Sequence, residues 1–179
     1  METIKSLKIR LFGDPVLRKK AVSVRKITDY HRSLLDEMLK LMRSGSGIGL
    51  AVPQAGINLA MIVVDIGSGL YKLINPKIIK RQGRQVFEEG CLSVPGICIK
   101  VKRAKKVSVK ALNENAEPVI IEACDLLACV FQHEIDHLKG RLIVDYASFF
   151  DKLKIRKKLE ELKKLSNKEP PPAVCKLNL

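Results

Sequence analysis

Apolar residues recur at helical spacing in three stretches of the chain. Across residues 28–44 (TDYHRSLLDEMLKLMRS), Leu34, Leu35, Met38, Leu41 and Met42 fall on one stripe, which predicts an amphipathic helix lying on a core. Across residues 125–140 (DLLACVFQHEIDHLKG) the apolar positions run almost all round, so this helix should be buried. Asp125 is placed to cap it and Gly140 to end it. Residues 149–165 (FFDKLKIRKKLEELKKL) predict a Lys-rich helix with Ile155, Leu159, Leu162 and Leu165 on one stripe.

Between the first two helices the pattern changes to strands. LAMIVVDI (59–66) and YKLINPKII (71–79) read as strands. KKVSVKALN (105–113) alternates at Val107, Val109 and Ala111, and EPVIIEA (117–123) pairs with it across the NENA turn. Near the start, GDPVLRKKA reads as a turn into a short helix, with Asp14 as cap and Pro15 at its first position. SGSGIGLAVPQAG (44–56) is a Gly-rich loop, and SNKEPPPAVCKLNL (166–179) reads as a disordered tail. Because the strands precede the buried helix as a block, an α+β fold is expected rather than a doubly wound one.

Composition narrows the picture. The 179 residues suit one domain with a substantial core. No apolar run approaches the roughly 20 residues that span a bilayer, so no membrane association is expected. METIKSLKIRLFGDP has no apolar stretch of signal-peptide type. Five cysteines, an odd number with no CxxC pair, read as reduced thiols, and a cytoplasmic location follows as an expectation. The net charge of +14 favours an anionic partner, such as nucleic acid, the ribosome or a membrane surface, with a merely solvated lysine surface as the alternative. With no Trp, three Tyr and five Phe, base stacking and sequence-specific nucleic-acid recognition are not expected.

The strongest chemical signal is FQHEIDHLKGR. His133 and His137 are four apart and share a helix face, so both imidazoles can hold one metal ion. Catalytic metal sites usually take three protein ligands. His31 sits in the first turn of its own helix and reads as a surface histidine. A metzincin-type continuation would put the third ligand at Ile143, which cannot bind metal, and Asp145 comes two residues too late. Glu160 and Glu161 lie at gluzincin-like spacing, but among lysines that would pair with them on a solvated face. Cys129 and His137 are two helical turns apart, too far for one ion. Cys175 is in the tail. Cys91 and Cys98 remain. Cys91, in FEEGCLSVPG with Gly90 before it and a Pro95-Gly96 turn after it, is the stronger candidate.

Three segments taken together resemble the peptide deformylase family: GIGLAVPQ (47–54), EGCLS (89–93) and QHEIDHL (132–138), in that order. The similarity extends over roughly residues 5 to 148. One position departs: Val52 stands where the family has alanine. The resemblance implies an α+β domain, with mixed or antiparallel sheets around a central helix that carries HExxH. It divides the chain into a catalytic domain at 1–148, a basic C-terminal helix at 149–166 and a disordered tail at 167–179. The implied activity is removal of the formyl group from the N-formylmethionine of nascent polypeptides.

The resemblance also implies roles. Cys91, His133 and His137 would hold one divalent ion, Fe²⁺ physiologically, with Zn²⁺ or Ni²⁺ as alternatives. Glu134 would be the general acid–base. The Gln54 amide and the Leu92 backbone N–H would meet the oxyanion. Gly47, Ile48, Gly49, Phe87, Glu89, Gly90, Leu126, Cys129 and Val130 would line the substrate site, and Arg103 would pair with Glu89. From Phe150 to Ser166 there are seven Lys or Arg against three Asp or Glu, so the C-terminal helix is expected to dock on the ribosome and to be separable from the chemistry. Two rival readings stand beside this one: a gluzincin peptidase using Glu160 or Glu161, and a basic RNA-associated protein with a structural metal.

Overall fold

The computed structural model describes residues 7–168. Its helices are α1 (Asp29–Ser44), α2 (Asp125–His137) and α3 (Phe149–Ser166). Its strands are β1 (Gly49–Ala51), β2 (Met61–Asp65), β3 (Leu70–Gln82), β4 (Gln85–Glu89), β5 (Ile99–Arg103), β6 (Lys106–Leu112) and β7 (Pro118–Cys124). All paired strands run antiparallel, in a five-stranded sheet of order β1-β2-β3-β6-β7 and a two-stranded ribbon β4-β5. This is the expected α+β architecture.

Strand alternation assigns the two faces of the large sheet. Ile62, Val64, Val107, Val109 and Ala123 turn inward onto Ala128, Phe131 and Ile135 of α2. Met61, Val63 and Ile74 have the opposite parity and pack under α1, against Leu34, Leu35, Met38 and Met42. α2 therefore lies against the sheet on one side. On its other side it meets the β4-β5 ribbon, through Cys129, His133 and Asp136. A third cluster joins Val94, Ile97, Ile99 and Val101 to Leu142–Val144 and to Leu162 of α3, with Ile155 and Leu159 packed alongside.

Several sequence expectations need correction. β1, β4 and β5 were not anticipated. β1 is only three residues long, inside a Gly-rich segment, and β4 and β5 are short strands crowded with charge. In β5 the alternation is nonetheless present, with Ile99, Val101 and Arg103 inward and Lys100 and Lys102 outward. Asp125 does not cap α2: it is the first helical residue, Cys124 takes the cap position, and no side chain bonds there. β7 runs straight into the helix, and the Asp125 N–H donates to the Lys105 carbonyl instead (2.9 Å). Gly140 lies beyond the helix end at φ +71°, where a Cβ would come within 2.5 Å of the Arg18 carbonyl oxygen. The N-terminal turn forms as expected, as a 3-10 turn over Pro15–Arg18 with Asp14 accepting from the Val16 N–H.

α3 packs on the rest of the domain through part of its apolar stripe. Leu162 is buried in the same cluster as Val94 and Ile97, which follow Cys91 in the loop. The Lys163 backbone also packs against Gly13, and the Lys158 side chain against Gly96. The expected stripe packs through Ile155, Leu159 and Leu162, whereas Leu165 stays half exposed. Of the tail, residues 169–179, including Cys175, lie outside the described residues.

Candidate active site

Three elements converge on one point. α2 brings His133, Glu134 and His137; the loop after β4 brings Cys91; the 3-10 turn Val52–Ala55 brings Gln54. The Cys91 Sγ lies 3.3 Å from His137 Nε2, which lies 3.2 Å from His133 Nε2. All three ligand atoms fall within 4.8 Å of one another. A tetrahedral ion with bonds of about 2.0–2.3 Å has ligand–ligand edges of roughly 3.3–3.7 Å, so the cluster is the right size for one such ion.

The surroundings support metal binding. His133 Nδ1 donates to Glu89 Oε2 (2.9 Å), which turns Nε2 toward the cluster, the arrangement usual behind a metal-bound imidazole. Burial, and then the charge of His133, hold His137 well below the ordinary histidine range, so its imidazole is neutral and available as a ligand. His133 is raised despite burial, because Cys91 and Glu89 both bond to it. The proton it holds is one that a cation would displace.

Glu89 is fixed from several directions. Burial alone would raise its pKa, but bonds from Arg103 and His133 outweigh this and hold it at about 2. Arg103 grips it with two nitrogens, at 2.7 and 2.8 Å, and also meets Asp136 at 2.5 Å. Asp136 in turn accepts from the Tyr146 hydroxyl (2.6 Å), and the Arg103 guanidinium lies over that ring. Cys129 donates its thiol to Glu89 (3.1 Å); burial and the neighbouring carboxylate push this thiol up to about 12, so it stays protonated.

Glu134 is 3% exposed, and burial pushes its carboxyl up to about 7 against the pull of the adjacent imidazole. Its Oε2 has no hydrogen-bond partner among the described residues. Its Oε1 is held against the backbone of Gly49, where a Cβ would overlap it and come within 2.8 Å of Val130 Cγ1. Any side chain at position 49 would displace this carboxylate. The Gln54 amide is oriented by the Ala51 N–H, which donates to Oε1 (2.9 Å). That leaves Nε2 pointing at Ser93 Oγ (3.2 Å) and Cys91 Sγ (3.5 Å). Val52 is fully buried in the core under α1.

A cavity of about 500 Å³ opens beside these groups. Its lining includes every residue expected there: Gly47, Ile48, Gly49, Gln54, Phe87, Glu89, Gly90, Leu92, Leu126, Cys129 and Val130, with Cys91, His133 and Glu134 at its inner end. Sequence reasoning missed Ser46, Glu88, Pro95 and Gly96 in that lining. It also missed the support from Asp136, Gln132 and Tyr146. Gln132 clamps α2 to the end of β5, exchanging bonds with the Ala104 N–H and C=O, both at 2.9 Å. Asp136 and Gln132 lie inside the QHEIDHL segment itself, so the signal was in view; Tyr146 had none.

The excluded candidates lie elsewhere. Glu160 is exposed and pairs with Arg156, and Glu161 is exposed on the same helix. Asp145 pairs with Arg18, and His31 accepts from the Thr28 N–H at the start of α1. Cys98 is exposed at the ribbon edge.

A Cys-His-His cluster built from an HExxH helix and the loop after β4, set in an antiparallel α+β frame, defines a metal-dependent hydrolase. Residues 6–153 match the polypeptide deformylase family model. The chain belongs to this family of metalloenzymes, whose members remove the N-formyl group from nascent polypeptides. It is 53% identical to a peptide deformylase of Halothermothrix orenii over 141 residues, covering 78% of this chain and 92% of the relative. It is 42% identical to that of Hamiltonella defensa over 166 residues, covering 91% and 97%. Among solved structures, a peptide deformylase from Legionella pneumophila superposes with a TM-score of 0.84 at 40% identity, covering 93% of this chain and all of that one. A plant peptide deformylase superposes at 0.87 with 36% identity, covering 96% and 98%.

Proposed function

We propose that this chain hydrolyses the N-terminal formamide of formylmethionyl polypeptides with Cys91, His133 and His137 as metal ligands. The observation that carries this reading is the approach of Cys91 Sγ and the two Nε2 atoms beside a cavity that also holds Glu134 and Gln54. Fe²⁺ is the proposed physiological ion, with Zn²⁺ or Ni²⁺ able to replace it; a site of two imidazoles and one thiolate suits all three. A divalent cation bound there supplies Lewis acidity, lowering the pKa of water from 15.7 toward about 7.

The protein's own groups do the rest. Glu134 accepts a proton from the attacking water as its oxygen bonds to the formyl carbon. A carboxyl near neutrality suits both taking that proton and returning it to the departing nitrogen. The Gln54 amide and the Leu92 N–H stabilise the oxyanion, each such donor being worth roughly 3 kcal/mol. The C–N bond then breaks, releasing formate and a free amine. Ile48, Phe87, Leu126 and Val130 offer an apolar slot for the methionine side chain, and Glu89 with Arg103 keeps the cysteine loop in place.

The slot predicts selectivity. kcat/KM should be much higher for formyl-Met than for formyl-Ala or formyl-Asp peptides, since filling apolar surface contributes about 25 cal/mol per Å². Formate release would be followed for all three; equal values would remove the slot from the mechanism.

We also propose a cytoplasmic location and a ribosome contact through α3. Exposed Lys154, Lys157 and Lys164 supply the charge. Because Leu162 of α3 belongs to the same buried cluster as Val94 and Ile97 of the Cys91 loop, truncation after Ser148 would open that cluster. Charge reversal at those three lysines is the cleaner test. It should abolish low-salt co-sedimentation with ribosomes and leave hydrolysis of a formyl-Met peptide intact. Undiminished co-sedimentation would end this proposal. No helix among the described residues is long and apolar enough to cross a membrane.

A further inference from the structure

α1 covers only part of the outer face of the large sheet. Met61, Val63 and Ile74 lie beneath it, and beyond Ile74 that cover ends. In the register of β3 and β6, Lys77 stands directly opposite Lys110, Lys80 opposite Ser108, and Gln82 opposite Lys106. Lys106, Ser108 and Lys110 alternate with Val107, Val109 and Ala111, which are buried on the α2 side. Lys77, Lys80, Lys106 and Lys110 therefore share the outer face, and all four are exposed. β7 adds Ile120 opposite Lys110, Glu122 opposite Ser108 and Cys124 opposite Lys106, so one carboxylate accompanies four ammonium groups.

Among the described residues, the lysines paired with carboxylates are Lys40, Lys72 and Lys105; none of these four is among them. Like charges directly opposite on antiparallel strands destabilise the pair, so Lys77 and Lys110 work against the fold that holds them. A polyanion laid across the sheet would reverse that effect.

We propose that this lysine face docks RNA through its phosphates, without regard to sequence. The face offers cations on a rigid, regular lattice and no aromatic ring, which suits backbone contacts and not base readout. A protein partner would need a desolvated apolar anchor, and an anionic membrane a continuous apolar band to insert. The exposed isoleucines of these strands, Ile79 and Ile120, are 55% and 64% exposed and sit singly among the lysines. The surface belongs to β3 and β6, so it is independent of α3 and of the deformylase chemistry.

The test compares the full-length metal-loaded protein with Lys77→Glu/Lys106→Glu, which leaves no like-charge pair in the register. The probe is a mixed-sequence RNA duplex, titrated from about 50 to 200 mM salt. Losing two phosphate contacts should lower the slope of log K against log salt by roughly 2, with about a tenfold loss of affinity at the lowest salt. Lys19→Glu/Lys20→Glu, which changes net charge equally at an exposed site outside the sheet, should retain the wild-type slope. Formyl-Met peptide hydrolysis should be unchanged in both. Lys77→Glu alone should raise the melting temperature, because it converts a repulsive cross-strand pair into an attractive one. If the Glu double variant fails to fold, Lys77→Gln/Lys106→Gln is titrated against the same slope criterion. Unchanged RNA affinity, or equal weakening by that control, would overturn the proposal. So would loss of binding to phosphatidylserine vesicles with RNA binding intact, which would assign the face to a membrane.

Discussion

Glu134→Gln is expected to lower kcat on a formyl-Met peptide by at least about 10²-fold while leaving metal content unchanged. The substitution is nearly isosteric, so the 3% exposed side chain keeps its place against Gly49. Glu134 is not among the three atoms that converge as a metal site, so the ion should stay. What disappears is the ability to accept a proton. Burial has raised this carboxyl to about 7, where it can exchange protons in either direction near neutral pH; an amide cannot. The loss should therefore fall on kcat, with KM little altered. Near-normal turnover would remove Glu134 from proton transfer.

Cys91→Ala should abolish both metal retention and hydrolysis, whereas Cys98→Ala and Cys129→Ala should keep the ion. Two imidazoles on one helix are an incomplete site, and the thiolate supplies the third bond. Cys98 is exposed at the ribbon edge. Cys129 is near the site, but its thiol is a protonated donor to Glu89, and Glu89 keeps both bonds from Arg103 when that thiol is lost. Elemental analysis of the three purified variants separates these cases. A full complement of metal in Cys91→Ala would refute the ligand assignment.

The residues that meet at this site were legible because their chemistry is local in sequence. His133 and His137 share a helix face by spacing alone, and EGCLS is a short block whose resemblance carries its cysteine with it. The long helices and the β6-β7 hairpin were equally plain, since each buries one regular stripe. β4 and β5 were not. Their inward positions include Arg103, which is 7% exposed, and a buried arginine breaks the apolar alternation from which strands are read. Its burial makes sense only once Glu89, from the neighbouring strand, and Asp136, from α2, are both seen to meet it, and the Asp136 contact joins segments that sequence pattern alone does not bring together. The place of α3 was obscured for a related reason. Its composition speaks of solvent and polyanions, while Leu162, with Ile155 and Leu159 alongside, joins it to the cluster that holds the cysteine loop.

The position of α2, with the large sheet on one side and the β4-β5 ribbon on the other, bears on how the molecule opens. Its amides can exchange with solvent only when the layers on both sides come apart, so they should rank among the slowest and report the global unfolding free energy. The loop at Ser46–Ile48 and the turn at Pro95–Gly96 rim the cavity, are more exposed, and should open locally at lower cost. On this expectation the two imidazoles and Glu134 are mounted on the part of the chain that should loosen last, and the cavity rim on a part that should loosen sooner.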